Sequence, residues 1–117
     1  MALFAALRKI REFEKQQLPF LKSVIDFDII VEIGYAEEQK RPLTPKQLFL
    51  LKLGSPTTVR RKLARLEAQG IIMRRANAHD RRSAFLAIAA PTLKALGRYG
   101  RMLSRYGKVL TSISTSG

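Results

Sequence analysis

The chain has 117 residues, which is enough for one domain with one hydrophobic core. Hydrophobic residues make up 46% of it, a normal share for a globular protein, so wholesale disorder is excluded. Cysteine is absent, which excludes a disulfide framework, a cysteine-based zinc finger and a thiol redox sensor. The net charge of +13 is uneven, because residues 1–51 hold 8 basic against 7 acidic side chains and residues 52–117 hold 14 against 2. Such a basic second half is typical of a protein that binds a polyanion.

Two sequence features bear on the compartment. No apolar run approaches the roughly 18 residues that a membrane span requires. The N-terminal apolar stretch has no basic residue before it and no convincing cleavage site, which disfavours a signal sequence. We therefore expect a cytoplasmic protein with no membrane partner.

The first 39 residues predict two helices. Residues 2–17 carry apolar side chains at spacings of three and four, and this period predicts an amphipathic helix that ends before Pro19. Residues 20–39 are ambiguous, because their β-branched side chains suit a strand and their isoleucines also form a helical stripe. We favour a helix with Asp26 or Asp28 near its N-terminus. Asp26, Asp28, Glu37 and Glu38 are interpreted as helix-end and surface charges.

Two helix start signals follow, each a hydroxyl residue before a proline. Thr44-Pro45 predicts the N-cap and first residue of a short helix that Gly54 ends. Ser55-Pro56 predicts a second helix, which runs to about residue 69 before a glycine ends it. Its inward face consists of Val59, Leu63 and Leu66.

A β-hairpin is predicted after the second of these helices. Residues 71–73 and 83–89 are short apolar runs on either side of the polar segment 74–82. The charged tip contains one acid, Asp80. Its residues expected to meet a polyanion are Arg74, Arg75, Asn77, Arg81 and Arg82.

Pro91-Thr92 opens the last helix, in which apolar side chains recur every three or four residues as a heptad-like seam. Glycines weaken this helix by about 1 kcal/mol each, so docking is expected to hold it. We predict a homodimer through residues 2–17 and 92–113, with packing of the seam on its own domain as the alternative. The predicted dimer interface consists of Leu3, Leu7, Ile10, Phe13, Leu96, Tyr99, Leu103, Tyr106 and Leu110.

Two short helices followed by a hairpin are the pattern of a winged helix-turn-helix. The segments LTPKQL (43–48), LGSPTTVRRKL (53–63) and LEAQGII (66–72), with Asp80-Arg81-Arg82 in the hairpin, resemble the MarR-type (multiple antibiotic resistance regulator) family. The resemblance covers roughly residues 26–90. It implies a mainly α fold with a small β-hairpin wing and with N- and C-terminal dimerisation helices.

We expect one domain over the whole chain. Its parts are an N-terminal helix and linker (1–25), the winged helix-turn-helix (26–90), a C-terminal helix (91–113) and a frayed tail (114–117). The resemblance also implies room for a small-molecule effector between the dimerisation helices and the winged helix. No residue identifies that ligand.

The helix that starts at Ser55 is the expected DNA-reading element. A rotation of 100° per residue places Thr57, Arg61 and Arg65 on its outward side. The first turn of such a helix enters the major groove, where threonine and arginine contact base edges and free backbone N–H groups suit a phosphate. A solvated basic face is the alternative. The expected contact residues are Ser55, Thr57, Thr58, Arg60, Arg61, Lys62 and Arg65.

The resemblance implies a role for the wing as well. Arg81 or Arg82 would insert into the minor groove, while Asp80 would pair with another wing arginine and brace it. An ordinary charged hairpin tip is the alternative. On the last helix, the face opposite the seam is basic and either faces solvent or lies along flanking DNA. This basic stripe consists of Lys94, Arg98, Arg101, Arg105 and Lys108.

The sequence as a whole predicts sequence-specific binding of double-stranded DNA by a nucleoid-associated transcriptional regulator. One alternative is a winged-helix protein of a phage or plasmid type that acts in replication, partition or chromosome architecture. Another is a winged-helix module that binds RNA or protein. No catalytic arrangement, metal-ligand spacing or cofactor motif is recognisable, so no enzyme activity, cofactor or metal is expected.

Overall fold

The spacing of apolar side chains leads to a chain of helices with a β-hairpin before the last helix. The computed structural model describes the backbone of residues 2–116 and the side chains of residues 2–108. This architecture confirms the predicted mainly α fold with a small β-hairpin. In chain order the elements are α1 (Leu3–Gln17), α2 (Val24–Glu38), α3 (Pro45–Leu50), α4 (Pro56–Ala68), β1 (Ile72–Ala76), β2 (Ala84–Ile88) and α5 (Ala90–Ser116).

The elements form two compact units. One, the helical unit, consists of Met1–Leu21 and Leu93–Gly117, and the other, the winged-helix unit, consists of Lys22–Thr92. The winged-helix unit contains α2, α3, α4 and the hairpin. The helical unit contains α1 and most of α5. The single domain expected over the whole chain stays a prediction.

The core of the winged-helix unit is aliphatic. Helix α2 settles the ambiguity over residues 20–39, because three of its isoleucines are buried together in this core and Ser23 caps its first turn. Each fully buried aliphatic side chain contributes about 1.5–3 kcal/mol to the free energy of folding. The larger buried aliphatic side chains of this unit are Ile29, Ile30, Ile33, Leu48, Val59, Leu63, Leu66, Ile72, Leu86 and Ile88.

Both predicted helix starts are confirmed. Thr44 and Gln47 form a capping box, in which each side chain accepts a hydrogen bond from the backbone N–H of the other, at 3.2 Å and 2.9 Å. Ser55 caps α4 with its side chain, which accepts a hydrogen bond from the backbone N–H of Thr58. The predicted end of α3 at Gly54 is wrong. The helix ends at Leu50, because the chain turns out of it immediately afterwards, at Lys52.

Three residues with positive φ end helices at the position that usually holds glycine. Gly70, at φ 72°, follows α4, and the N–H of Ile71 donates to the carbonyl of Leu66 at 2.9 Å. Lys40, at φ 58°, follows α2, and Lys52, at φ 55°, follows α3. A lysine in this left-handed region costs backbone energy that glycine does not.

The hairpin is antiparallel, and its register runs from Ile72 opposite Ile88 to Ala76 opposite Ala84. Strand β1 is therefore longer than the predicted run of residues 71–73. Arg74 and Arg75 were expected in the tip, which is wrong, because pairing with β2 continues the ladder of hydrogen bonds through them.

Helix α5 continues to Ser116, three residues beyond its predicted end at residue 113. The rest of the predicted tail, Gly117, lies outside the described residues. Along residues 2–116, no helix has both the length and the apolar character needed to cross a bilayer.

Candidate nucleic-acid interface

The first two turns of α4 present polar side chains to solvent. Thr57, Arg60 and Arg61 are exposed, whereas Val59 and Leu63 are buried in the core. This division follows from the helical period, which turns residues 57, 60 and 61 away from the apolar face. The predicted outward orientation of Thr57 and Arg61 is therefore confirmed.

The cap of α4 reduces the phosphate site expected at its N-terminus. The Oγ atom of Ser55 accepts a hydrogen bond from the N–H of Thr58 at 3.2 Å and donates one to its Oγ1 at 2.8 Å. Pro56 has no N–H to offer. Two backbone positions of the first turn are therefore not available to a phosphate, and the two hydroxyl groups are held together.

An aromatic ring of α3 positions one arginine of α4. The guanidinium carbon of Arg60 lies 5.2 Å from the centroid of the Phe49 ring. A cation over an aromatic face at this distance is worth about 0.5–1 kcal/mol where solvent is present. The contact joins the two helices of the helix-turn-helix and restricts the directions that Arg60 samples.

A buried carboxylate holds the opposite flank of α4. Asp26 of α2 has no exposed surface, and its Oδ1 lies 2.5 Å from Nη2 of Arg65 and 3.7 Å from Nζ of Lys62. Its Oδ2 accepts hydrogen bonds from the backbone N–H of Lys22 and from the hydroxyl of Ser23. Burial by itself raises the pKa of Asp26, but the hydrogen bond from Arg65, the bond from Lys22 and the two nearby cations outweigh it. The pKa therefore lies below its ordinary value of 3.8.

Two orientations expected from the sequence are corrected by this cluster. Arg65 was predicted to face outward, and Asp26 was predicted to be a helix-end and surface charge. Asp26 does lie in the first turn of α2, so only its expected exposure is wrong. Arg65 and Lys62 instead share one flank of α4, at i and i+3, and their side chains are only 28% and 17% exposed. A buried carboxylate needs cationic partners, and this requirement draws both side chains toward α2.

The hairpin is fastened to the same helix. Arg74 of β1 donates two hydrogen bonds to Glu67 of α4, from Nε at 2.9 Å and from Nη2 at 3.0 Å. This bidentate geometry is the stronger form of the arginine–carboxylate pair. The neighbouring Arg75 is exposed and, by the alternation of a strand, points to the other face of the hairpin. Arg74 therefore connects the hairpin with α4, although half of its side chain stays exposed, and Arg75 is exposed on the other face.

Another carboxylate fixes the base of the hairpin. Oε1 of Glu37, on α2, accepts a hydrogen bond from the backbone N–H of Ile88 at 2.8 Å. The N–H of Leu86 donates to the carbonyl of Leu43 at 2.7 Å. Glu37 lies at the end of α2, as expected, but it is half-buried and not a free surface charge, because its carboxylate accepts the N–H of the last residue of β2.

The hairpin tip is shaped by two side chains that bond to the backbone two residues ahead. Oδ1 of Asn77 accepts from the N–H of His79 at 2.9 Å, and Oδ1 of Asp80 accepts from the N–H of Arg82 at 2.9 Å. The amide group of Asn77 also donates to the hydroxyl of Ser83 at 3.1 Å. These are Asx turns, which asparagine and aspartate favour.

These turns correct the expectation that Asp80 pairs with a wing arginine. Among the side chains of residues 2–108, Asp80 forms no ion pair with an arginine, because its carboxylate already accepts the local backbone bond. Arg81 and Arg82 are both exposed, and neither forms an ion pair with another side chain of residues 2–108. Asp80 braces the tip through the main chain.

Several residues predicted for a dimer interface pack within one chain. Ile10 and Tyr99 are buried, and the rings of Phe13 and Tyr99 stack with centroids 5.8 Å apart. The Tyr99 hydroxyl donates a hydrogen bond to Glu14 at 2.5 Å. The pKa of Tyr99 is raised, mainly because the side chain is buried and also because of this hydrogen bond. For these three residues the alternative of packing on their own domain is the one observed.

The other predicted interface residues differ in exposure. Leu3, Leu7 and Leu103 keep 40%, 38% and 38% of their surface exposed. Leu96 and Tyr106 are half-buried. The side chain of Leu110 lies outside the described residues.

Comparison with solved structures gives matches among transcriptional regulators. The transcriptional regulator Tm0710 from Thermotoga maritima is 29% identical over 91% of this chain and 75% of its own, with a TM-score of 0.65. MepR of S. aureus in a DNA complex is 20% identical over 90% of this chain and 77% of its own, at 0.69. A mutant MarR from E. coli complexed with operator DNA is 17% identical over 86% and 69%, at 0.56. No family model and no curated protein matches the chain.

The chain has the MarR-type winged helix-turn-helix fold. In this fold α3 and α4 are the helix-turn-helix and β1–β2 is the wing. The resemblance drawn from residues 26–90 is confirmed, and the similarity extends over about nine-tenths of the chain, so it includes residues of the helical unit.

Four residues that shape the site were not predicted from the sequence. They are Glu37, Phe49, Glu67 and Asp26, of which Asp26 was named in the sequence analysis but was not expected to be buried. One signal was present for Asp26, since Ser23 and Asp26 have the spacing of a capping box and therefore mark the first turn of α2. The other three partners depend on which elements of the MarR-type fold pack together, and local pattern does not contain that information.

Proposed function

We propose that this chain is a homodimeric transcriptional regulator that binds double-stranded DNA in a sequence-specific manner. The observation that carries the proposal is the exposed face of Thr57, Arg60 and Arg61 on the second helix of a winged helix-turn-helix. The DNA-containing structures of MepR and MarR support it, because their fold is the same. The proposed role is binding and not catalysis.

In the proposal, α4 lies in the major groove. Arg61 and Thr57 contact base edges, since arginine pairs bidentately with guanine and threonine contacts the thymine methyl group. Arg60, held over Phe49, contacts a phosphate or a base at the edge of the site. Ser55 and Thr58 contact the backbone through their paired hydroxyl groups. Lys62 and Arg65 hold α4 against α2 through Asp26, so in the proposal they contribute less to DNA binding than Arg60 and Arg61 do.

The wing, residues 74–83, lies in the minor groove in the proposal. Arg81 or Arg82 enters the groove, since both are exposed and the Asx turns of the tip present them. Arg75 contacts a phosphate from the outer face of β1. Narrow minor grooves concentrate negative potential, which favours an inserted arginine.

The dimer is proposed to form through the helical unit. Leu3, Leu7 and Leu103 remain exposed there, together with Phe4, which keeps 77% of its surface exposed and was not predicted. A two-fold dimer would read a pseudo-palindromic site with half-sites about one helical turn apart. The protein would then act in the cytoplasm on nucleoid DNA, and a small-molecule effector stays a prediction without an identified ligand.

The experiment that tests the proposal is a selection from randomised duplexes with the purified full chain. We expect a palindromic consensus. Arg61→Ala should then weaken binding to the consensus by roughly 5–150-fold, corresponding to about 1–3 kcal/mol, with a smaller loss on random DNA. Arg41→Ala, which removes an exposed cation of the same unit outside α4 and the wing, is the matched control.

Each other outcome counts against a defined part of the proposal. Equal losses on consensus and random DNA for Arg61→Ala would exclude base reading by this side chain. Fragments selected from genomic DNA that cluster at an origin or are dispersed would favour replication, partition or architecture over transcription. Preference for structured RNA over duplex DNA at equal salt would favour an RNA-binding module.

A further inference from the structure

One charged surface lies outside the proposed DNA-reading elements. Helix α5 carries the basic stripe, whose members recur at intervals of four, three, four and three residues. All five side chains are exposed. The helix contains no acidic residue over its whole length. The basic stripe consists of Lys94, Arg98, Arg101, Arg105 and Lys108.

The stripe is narrow and straight. At 100° and 1.5 Å per residue, its members fall within an arc of about 80° and extend over about 21 Å. That length corresponds to roughly six base-pair steps of a DNA strand, at about 3.4 Å per step. The stripe therefore has the dimensions of a short stretch of phosphate backbone.

The cations of the basic stripe differ from those of α1 in whether an acidic side chain pairs with them. Among the side chains of residues 2–108, none of the five takes part in an ion pair. On α1, in contrast, Lys9 pairs with Glu12 and Arg11 with Glu14. Like charges at i, i+3 and i, i+4 destabilise a helix. A helix that keeps five unpaired cations on one face thus has a surface suited to an anionic partner.

The opposite face of α5 decides between two classes of anionic partner. An amphipathic helix binds a lipid surface by inserting its apolar face between the headgroups. The apolar face of α5 is partly used within the helical unit, where Ala95 and Tyr99 are buried and Tyr99 stacks on Phe13, and its exposed Leu103 is assigned to the proposed dimer. The residues that separate members of the stripe include Gly97 and Ser104, which are small and exposed. These features favour a nucleic-acid backbone over a membrane.

We propose that the basic stripe of α5 is a second DNA-binding surface, which contacts duplex phosphates without regard to sequence. The inference rests on the proposed function for the nature of the partner. It goes beyond that function because the helical unit becomes a DNA-binding element in addition to its role in dimerisation. Binding through this surface raises affinity for every sequence alike and makes it more sensitive to salt.

The test compares two double variants of the full chain with the same charge change and the same i, i+7 spacing. Arg98→Gln with Arg105→Gln removes two members of the stripe. Arg8→Gln with Lys15→Gln removes two exposed cations of α1, in the same unit. Equal thermal unfolding of the two variants is checked first by circular dichroism. Affinity for a long random duplex and for the selected consensus is then measured by fluorescence anisotropy between about 50 and 200 mM salt.

The stripe variant is expected to reduce the slope of log affinity against log salt by about 2 and to weaken binding roughly tenfold on both duplexes. The α1 variant should stay close to the unchanged chain. Equal slopes and affinities for the two variants would overturn the proposal. Loss of binding to vesicles containing phosphatidylserine, with DNA binding unchanged, would overturn it in favour of a membrane.

Failure of this inference and failure of the proposed function are distinguishable. If Arg61→Ala changes sequence preference while the stripe variant behaves as the α1 variant does, only the inference fails. If the chain shows no sequence preference and the stripe variant still reduces the salt slope, the sequence-specific function fails and the second surface stands.

Discussion

At the scale of single residues, the buried carboxylate of Asp26 connects the stability of the chain with the position of α4. Its partners Lys62 and Arg65 reach it from the flank of α4, and a third bond joins it to the backbone of Lys22. Removing one partner of a buried ion pair leaves the remaining charges uncompensated. The main effect of this charge cluster is therefore to fix the position of α4 against α2, and its net contribution to stability is smaller.

We expect Asp26→Asn to lower the free energy of unfolding by about 2–4 kcal/mol, because the amide is isosteric but cannot neutralise two cations. Urea denaturation measures the change. Asp28→Asn, a neutralisation two residues away on the same helix, is the control and should have an effect within about 0.5 kcal/mol. Similar losses for the two variants would contradict the role assigned to Asp26.

The same residue predicts a dependence of stability on pH. The pKa of Asp26 in the folded state lies below its ordinary value of 3.8, so the folded protein binds this proton less readily than the unfolded chain does. The stabilisation is therefore fully present above pH 3.8 and is lost as the pH falls through the folded pKa. The unfolding midpoint of Asp26→Asn should decline less steeply below that pH than the midpoint of the unchanged chain.

At the scale of elements, replacing Gly70 or Gly100 with alanine is expected to change the free energy of unfolding in opposite directions, although both glycines are exposed. A Cβ added at Gly100, inside α5, would meet nothing within 4 Å, whereas Gly70 ends α4 at φ 72°. Gly100→Ala should raise the free energy of unfolding by about 0.5–1 kcal/mol, and Gly70→Ala should lower it by about 1 kcal/mol. Thermal unfolding followed by circular dichroism measures both. A loss of dimer or of DNA affinity in Gly100→Ala would show that another molecule approaches this face of α5.

The wing permits a test of how Asp80 acts. If its role is to accept the backbone N–H of Arg82, Asp80→Asn should keep DNA affinity within about twofold, since asparagine favours the same turn. Asp80→Ala should weaken binding several-fold, because the tip loses its conformation. If both variants lose affinity equally, the ion pair implied by the family resemblance would be the better explanation.

The elements differ in how far the sequence predicts them. Helix starts at Thr44-Pro45 and Ser55-Pro56 were predicted correctly because capping is local chemistry within four residues. The length of β1 was not, since Arg74 and Arg75 look like loop residues until their partners on β2 are known. Arg65 was misplaced for a related reason. A helical projection gives the angle of a side chain but does not reveal that Asp26, 39 residues earlier, lies beside it.

At the scale of the whole molecule, exposed apolar side chains in the helical unit predict self-association. Leu7→Glu should convert a dimer of the 13.2 kDa chain into a monomer, because a carboxylate would be buried without a partner in the interface. Sedimentation equilibrium measures the mass. Val24→Glu, in the winged-helix unit and at a side chain that is 76% exposed, is the control and should leave the dimer intact. A monomeric unchanged chain would contradict the proposed assembly.

Lys40 and Lys52 follow the ends of α2 and α3 with their backbones in the left-handed region. Glycine at either position would relax the main chain but would also delete a cation, and Lys52 is four residues before Pro56, the first residue of the helix proposed to read DNA. Thermostability and attraction to phosphate are thus in competition at the turn between α3 and α4. A variant selected only for heat resistance would be expected to acquire glycine there and to become a weaker DNA binder.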